Sequence, residues 1–553
     1  MPLDVRVAGQ PRSPDKPEDL AQRLVPAAVW AVPLLLCLGL ALRIAMALPS
    51  YKYQVDADAI LTALCAFKVM RWEHPVFYVA ERIGSLGGHL TALLFSLFGV
   101  SRSSLAAETV LSSALMLGAW YLFLREALGR RLALLALPFA AFPSPAFLFW
   151  TSTPAGGYPE TLLFCASSLW LAARLVRGDR SPWSVFGFGL SVGLAWWASL
   201  LSLGCTFPAL LWLAWRRRDL LQRHAIARFI AGFLLGALPW LAFNVRHPLA
   251  SLRQTALIRP VPGRAALLDN ARYLATFNLR ELVASVAYDE RPSAVSLALQ
   301  RPVLAMVGMA ALTSLLVFPL WRCARRRQRR ESRASSPASS ALPLLALVAV
   351  AALLLVLLTV AGTDRGLPVR YLLPLYLVIP ALIAVALAAL ASRLPAAAAA
   401  CAVAIVVFNL AGACLPWTES RHRLAANAVY DQQLLAYLET QRVGAIAGSF
   451  WRVYPINFLS RERILAIPMQ EGHDHYRVAE KLPASPLRWA LVARNRRELA
   501  VWAGHAGLRG SFRTVSPLAC VFLPDPNPPA GTPAEFQLRL KVAYNRPPSP
   551  GSG

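Results

Sequence analysis

Eleven apolar runs, each close to the length of one membrane crossing, govern what this chain can fold into. They lie at 24–48, 104–124, 132–150, 158–176, 182–198, 200–215, 226–245, 302–321, 341–361, 371–391 and 396–413. A helical span needs about 20 apolar residues, and inside lipid the backbone must satisfy its own hydrogen bonds, which a helix does. The stretch 182–215 is too long for one crossing and is split near Trp196–Leu203. Only 15% of the 553 residues are charged and 57% are hydrophobic, against about a quarter charged in soluble domains. This excludes a disordered chain, a fibrous chain and an ordinary cytosolic enzyme. A polytopic α-helical membrane protein with about 11 transmembrane helices is expected.

The charge is +27, from 56 Lys and Arg against 29 Asp and Glu, and almost all of the basic residues are arginine. The arginines fall in short loops between spans: Arg125, Arg130 and Arg131; Arg174, Arg177 and Arg180; Arg216, Arg217, Arg218, Arg223 and Arg228; and the cluster from Arg322 to Arg333. Every second short loop is basic. By the positive-inside bias these loops face the cytoplasm, and the charge calls for no nucleic acid. The N-terminus is then cytoplasmic and the C-terminal region extracytoplasmic. The first run ends in Ala45-Met46-Ala47, similar to a signal-peptidase site, but it is about twice a signal core in length and holds Arg43, so an uncleaved anchor is expected.

The expected organisation has four parts. Residues 1–23 are a disordered cytoplasmic N-terminus. Residues 24–414 form the transmembrane domain, with large outside loops at 49–103 and 246–301. Residues 415–523 form a small extracytoplasmic α/β domain, and 524–553 a Pro-rich disordered tail. In the first loop, 58–70 and 86–98 read as helices lying along the membrane surface. In the last domain a helix near 429–441 precedes strands near 443–449, 463–467 and 489–493. Gly189-x-x-x-Gly193 and Gly232-x-x-x-Gly236 permit close helix packing. The cysteines show no zinc or CxxC spacing, and Cys414 and Cys520 are expected to stay unpaired.

Several outside positions carry chemistry. Asp56-Ala-Asp58 starts the first loop helix, where a carboxylate serves either as a cap or as an acid or base. Two carboxylates two residues apart do not share a helix face, so one catalytic acid is favoured over a pair. The Asp-x-Asp spelling also fits a divalent metal, though three residues are not specific. Thr153-Pro-Ala-Gly-Gly-Tyr-Pro-Glu160 opens the fourth span with two glycines that permit close backbone approach, and Glu160 either caps that helix or adds a second carboxylate. Arg370 heads the tenth span, preceded by Arg365; arginine at a helix N-terminus suits a bound anion. His473-Asp474-His475 lacks a third ligand and reads as a solvated turn.

These motifs together resemble the polyprenyl-phosphate-sugar-dependent membrane glycosyltransferases of type C fold, and more narrowly the bacterial proteins grouped with the protein mannosyltransferases (glycosyltransferase family 39). The resemblance rests on Asp58-Ala-Ile-Leu-Thr-Ala-Leu, His74-Pro-Val-Phe-Tyr, Gly84-Ser-Leu, Gly156-Gly-Tyr-Pro-Glu160, Trp196-Trp-Ala-Ser-Leu-Leu, Gly236-Ala-Leu-Pro-Trp-Leu-Ala-Phe-Asn244 and Arg370-Tyr-Leu-Leu-Pro-Leu, in this order. Two places depart. Gly87-Gly88-His89 stands where an acidic residue is expected after Gly-Ser-Leu, and Ala80-Glu81 replaces a Gly-Gln; both bear on the acceptor.

The resemblance implies an inverting transfer of a sugar from a polyprenyl phosphate to an extracytoplasmic acceptor, a glycan, lipid or protein, at a bacterial inner membrane. It implies Asp58 as general base with Glu160 as a second catalytic carboxylate. Arg370, Tyr371 and Arg365 would hold the donor phosphate, and Asp56, His74, Glu81, Tyr158 and Trp197 would line the substrate site. The lipid-linked sugar is a co-substrate, and no cofactor is called for. A lipid or sugar transporter, and an inactive scaffold of the same fold, are the alternatives. Carriers usually show internal repeats and broken midplane helices, whereas the glycine-rich and acidic motifs here lie in outside loops.

Overall fold

The computed structural model describes residues 30–47, 57–79, 83–253, 260–274, 337–359, 368–469 and 488–525. The run at 302–321, the arginine cluster at 322–333, the His473–His475 turn and the tail after 525 lie outside these residues, as do Asp56, Glu81 and Arg365.

Helices form over each of the other ten apolar runs. Four of them are long and apolar enough to cross a membrane among the described residues: Trp30–Ala47, Arg102–Leu128, Ala341–Leu358 and Pro395–Cys414. Three further runs are bent pairs rather than straight spans. Arg130–Ala141 meets Pro145–Ser152 at 74°, Arg223–Gly236 meets Leu238–Arg246 at 72°, and Arg370–Tyr376 meets Ile379–Ala391 at 44°. Each break falls next to a proline that cannot continue the hydrogen-bond ladder: Pro143 and Pro145, Pro239, and Pro380. The split within 182–215 falls at Ser199, between helices Pro182–Ala198 and Leu203–Arg216.

Local chemistry sets many of the ends. The Ser101 hydroxyl accepts the Ser104 amide at 3.0 Å to start the helix Arg102–Leu128, and Gly129 at φ 80° ends it. Gly189 and Gly193 face Gly232 and Gly236: a Cβ on any of the four would strike backbone of the opposite helix. The expected close packing is thus between these two motifs, with Phe188 against Phe229 and Trp196 against Phe233 alongside.

Both expected loop helices form, at Ala57–Met70 and Leu86–Phe98. Between them, a short hairpin pairs strand β1 (Phe77–Val79) with β2 (Ile83–Gly84). The loop helices are buried on several faces rather than resting on one side.

A single helix, Pro395–Thr440, runs from the last apolar stretch into the C-terminal region. The separate helix expected near 429–441 is its outer end. The polar composition after 415 marks the exit from the apolar stretch, but the helix continues through it, Pro416 included. Beyond it, five strands form a mixed sheet of order β4-β3-β5-β7-β6: β3 (Ala445–Gly448), β4 (Leu465–Pro468), β5 (Trp489–Ala493), β6 (Gly510–Ser516) and β7 (Ala519–Pro524). Strand β3 pairs in parallel with β4 and β5, while β7 runs antiparallel to β5 and β6. The β6–β7 hairpin escapes the sequence reading because its turn, Pro517-Leu518, lacks an Asn-Gly or Asp-Gly signal. Cys414 is exposed and Cys520 buried.

One apolar core fills the helical bundle, around Trp120, Phe147, Leu169 and Trp212. A second joins the loop helices to the C-terminal sheet. Phe458 stacks on Phe67 at 6.1 Å and on Phe95 at 6.3 Å, and Arg71 pairs with Glu462 at the rim.

Candidate active site

The loop helix Ala57–Met70 carries Asp58, half-buried, in its first turn. One turn later the Thr62 hydroxyl donates to the Pro154 carbonyl at 2.7 Å. That carbonyl belongs to the glycine loop before the helix Tyr158–Val176. Tyr78, on β1, hydrogen-bonds to Thr62; burial first, and then the nearby Glu160, push its phenol well above the usual tyrosine range. Thr62 and Tyr78 thereby fasten the loop helix to the loop that delivers Glu160.

Gly156 and Gly157 sit at φ 71° and 62°, in the left-handed region that favours glycine. A Cβ on Gly156 would strike the Tyr158 ring. The turn lets Tyr158 pack edge-on against Trp150, 4.9 Å between centroids, and aims the helix start inward. Glu160, in that first turn, is 5% exposed.

Glu160 does not stand alone. Its carboxyl lies beside that of Glu108, which is 1% exposed: a Cβ on Gly87 would sit 3.4 Å from Cδ of Glu160 and 3.8 Å from Cδ of Glu108. Glu108 also accepts from Thr109 at 3.1 Å and Ser112 at 2.9 Å. The sequence reading missed Glu108, although an ionisable residue inside an apolar span is itself a signal for a functional site.

The Gly84-Ser-Leu and Trp196-Trp-Ala-Ser motifs meet. A Cβ on Gly84 would strike the Trp197 carbonyl, and Ile83 bridges Ser199. Trp197 donates its indole N–H to the Val76 carbonyl at 3.1 Å and lies 6.3 Å from His89. So Asp58, Tyr158, Glu160 and Trp197 belong to one connected neighbourhood. His74 is exposed beside Trp72, at φ 45°, at the tip of the turn leading into β1.

Arg370 and Tyr371 lie in a 3₁₀ turn, Pro368–Leu372, and not at the head of a regular α-helix. This corrects the sequence expectation: Pro368 and Pro374 bracket a turn too short to build a helix macrodipole. The Arg370 guanidinium donates to the Tyr371 hydroxyl at 3.1 Å and lies 5.0 Å from its ring centre. The segment after them is fixed to the bundle. Trp120 donates to the Leu377 carbonyl at 2.8 Å, and Ser144 to the Tyr376 hydroxyl at 3.0 Å.

The described arginine loops gather at the other end of the bundle. Arg177 reaches Glu126 at 3.1 Å, Arg217 reaches the Leu175 carbonyl, and Arg177, Arg180 and Arg217 line one cavity of about 350 Å³. The helix Tyr158–Val176 has Glu160 in its first turn and Arg174 in its last. Its 19 residues rise about 28 Å, close to the thickness of a bilayer core. Among the described residues no group of three or more His, Cys, Asp or Glu is placed to hold a metal ion.

Residues 85–243 match the family model described as dolichyl-phosphate-mannose-protein mannosyltransferase. The crystal structure of ArnT from Cupriavidus metallidurans bound to undecaprenyl phosphate is similar at TM-score 0.58 and 15% identity, over 90% of this chain and 98% of that one. The apo oligosaccharyltransferase of Archaeoglobus fulgidus is similar at TM-score 0.50 and 14% identity, over 93% of this chain and 78% of that one. No curated protein sequence matches.

Proposed function

We propose a donor, a side of the membrane and a chemical course for this chain, which is a membrane glycosyltransferase of the type C fold resembling the protein mannosyltransferases over residues 85–243. The donor is a sugar on a polyprenyl phosphate. The acceptor is a hydroxyl on the extracytoplasmic side of a bacterial inner membrane. The observation that supports this most is the tie from Thr62 to Pro154, which holds the Asp58 helix against the loop of Glu160. It sets these carboxylates about one bilayer thickness from the arginine loops.

The Asp58 carboxylate takes the proton of the acceptor hydroxyl. That oxygen forms a bond to the anomeric carbon while the bond from that carbon to the phosphate oxygen breaks. The electron pair leaves with the phosphate, and configuration inverts. Proton removal by a positioned carboxylate is worth roughly 10²–10⁴ in rate. Arg370 balances the charge that grows on the departing phosphate, with Tyr371 steadying its guanidinium. Arg365, Asp56 and Glu81 complete the proposed site from outside the described residues, and Tyr158, Trp197 and His74 border the sugar or acceptor. Residues 415–523 form the extracytoplasmic domain.

The test is a deletion strain complemented with wild-type or Asp58→Asn protein. Lipid-linked sugar should accumulate in the deletion and in Asp58→Asn, and clear with wild type. If all three hold the same lipid-linked pool by mass spectrometry, the reading is wrong.

A further inference from the structure

Glu108 has no part in the chemistry above, yet it lies against Glu160, the second carboxylate of the proposed site, and is sealed from solvent. Its two oxygens accept from Ser112 and Thr109, and its carboxyl and that of Glu160 border the same space over Gly87. A hydrogen bond between two carboxyls requires a proton on one of them. Gly87, in the facing loop helix, makes the room. A Cβ there would strike Oε1 of Glu160, and would sit 3.4 Å from its Cδ and 3.8 Å from Cδ of Glu108. Glu160 Oε2 is buried and has no partner among the described residues. The other oxygen, Oε1, points into the space over Gly87. A titratable group that interacts with this carboxyl from another element is Tyr78 on β1.

We infer that Glu108 is a positioning residue for Glu160: the two carboxyls share one proton in the space that Gly87 leaves open, which fixes the Glu160 carboxyl against the loop helices. The catalytic consequence rests on the glycosyltransferase reading above; the shared proton does not.

The test uses full-length protein in lipid nanodiscs. The infrared spectrum at neutral pH should contain the carbonyl band of a protonated buried carboxyl, shifted by deuterium exchange. Glu108→Gln keeps size and can donate an amide hydrogen bond to Glu160. It should remove the band, as should Glu160→Gln. Glu108→Asp, which keeps a titratable partner, should retain a displaced band and covers the case where Glu108→Gln fails to fold. A band that survives in either glutamine variant, or that is missing from wild type, overturns the shared proton. In parallel, membranes are assayed for discharge of polyprenyl-phosphate sugar. Glu108→Gln should slow discharge about ten- to a hundredfold, as expected when a reacting group is displaced by a fraction of an ångström to one ångström. Unchanged discharge with the band lost overturns the positioning role. Wild-type membranes that discharge no such sugar, while the band behaves as stated, overturn the proposed function and leave the carboxyl pair standing.

Discussion

The Thr62 hydroxyl donates to the Pro154 carbonyl at 2.7 Å, joining two segments 92 residues apart in sequence. Asp58 stands one helical turn before Thr62, and Glu160 two residues into the helix that the Pro154 loop opens. The position of the proposed base relative to the second carboxylate therefore hangs on this loop contact.

Asp58→Asn keeps the shape of the side chain and removes its proton acceptor. Sugar transfer should fall by at least about a hundredfold at normal protein level. Asp56→Asn should have a smaller effect. Full activity in Asp58→Asn with loss in Asp56→Asn would mean that the other carboxylate is the base.

Arg370 is expected to lose most transfer as Arg370→Lys and nearly all as Arg370→Ala, with weaker donor binding. Lysine keeps the charge but not the two-pronged geometry that grips phosphate oxygens. It would also give up the stack on the Tyr371 ring. Rates with a short-chain donor decide this, and wild-type rates in Arg370→Lys would remove the residue from the site.

Gly157→Ala forces an L side chain to φ 62° and brings its Cβ within 3.1 Å of Ile83 Cγ2. The left-handed conformation costs about 1–2 kcal/mol, so thermal stability should drop only modestly. Transfer should fall far more, because the turn sets where Glu160 points. Equal, small losses in both measurements would make the glycine a matter of folding only.

Cys65 sits under Gly88 in the facing loop helix, where a Cβ on Gly88 would strike its sulfur. Burial pushes its thiol up to about 12, against a smaller pull from Lys68. A raised value keeps the thiol protonated at neutral and mildly alkaline pH, where alkylation needs thiolate. Maleimide should label native Cys65 about a thousandfold more slowly than an unperturbed thiol. Labelling should speed up in denaturant and in Gly88→Ala, as read by mass spectrometry of the peptide.

Orientation can be read with a reporter that works only outside the cytoplasm. A fusion after Pro416 should be active and one after Arg330 silent. The reverse pattern would invert the chain and take the proposed site with it.

The helices over the apolar runs were legible because they depend on long-range averages. Apolar runs and arginine-rich loops survive any local irregularity, and the helices Tyr158–Val176 and Pro182–Ala198 fall on their expected ranges. Local geometry was harder. The prolines at 143, 145, 239 and 380 were in plain view, but hydropathy averages over them, so three bent pairs read as straight spans. The site was legible where it is spelled by contiguous residues, as around Gly156 to Glu160. It was hidden where it is made by a crossing of distant segments. Glu108 meets Glu160 only because two spans pack side by side, and Tyr78 meets Thr62 only because a three-residue strand turns back.

The packing of Phe458 against both Phe67 and Phe95, whose own rings are 5.9 Å apart, gives the C-terminal domain a second duty. It packs over the loop helices, one of which carries Asp58. Cut the chain before β3, and the loop helices would meet water with an aromatic face they were never built to show. The helix of Asp58 would then lose the wall it leans on. A domain attached in this way cannot be exchanged as a separate cartridge for another acceptor, because removing it dismantles the room in which the reaction is proposed to take place.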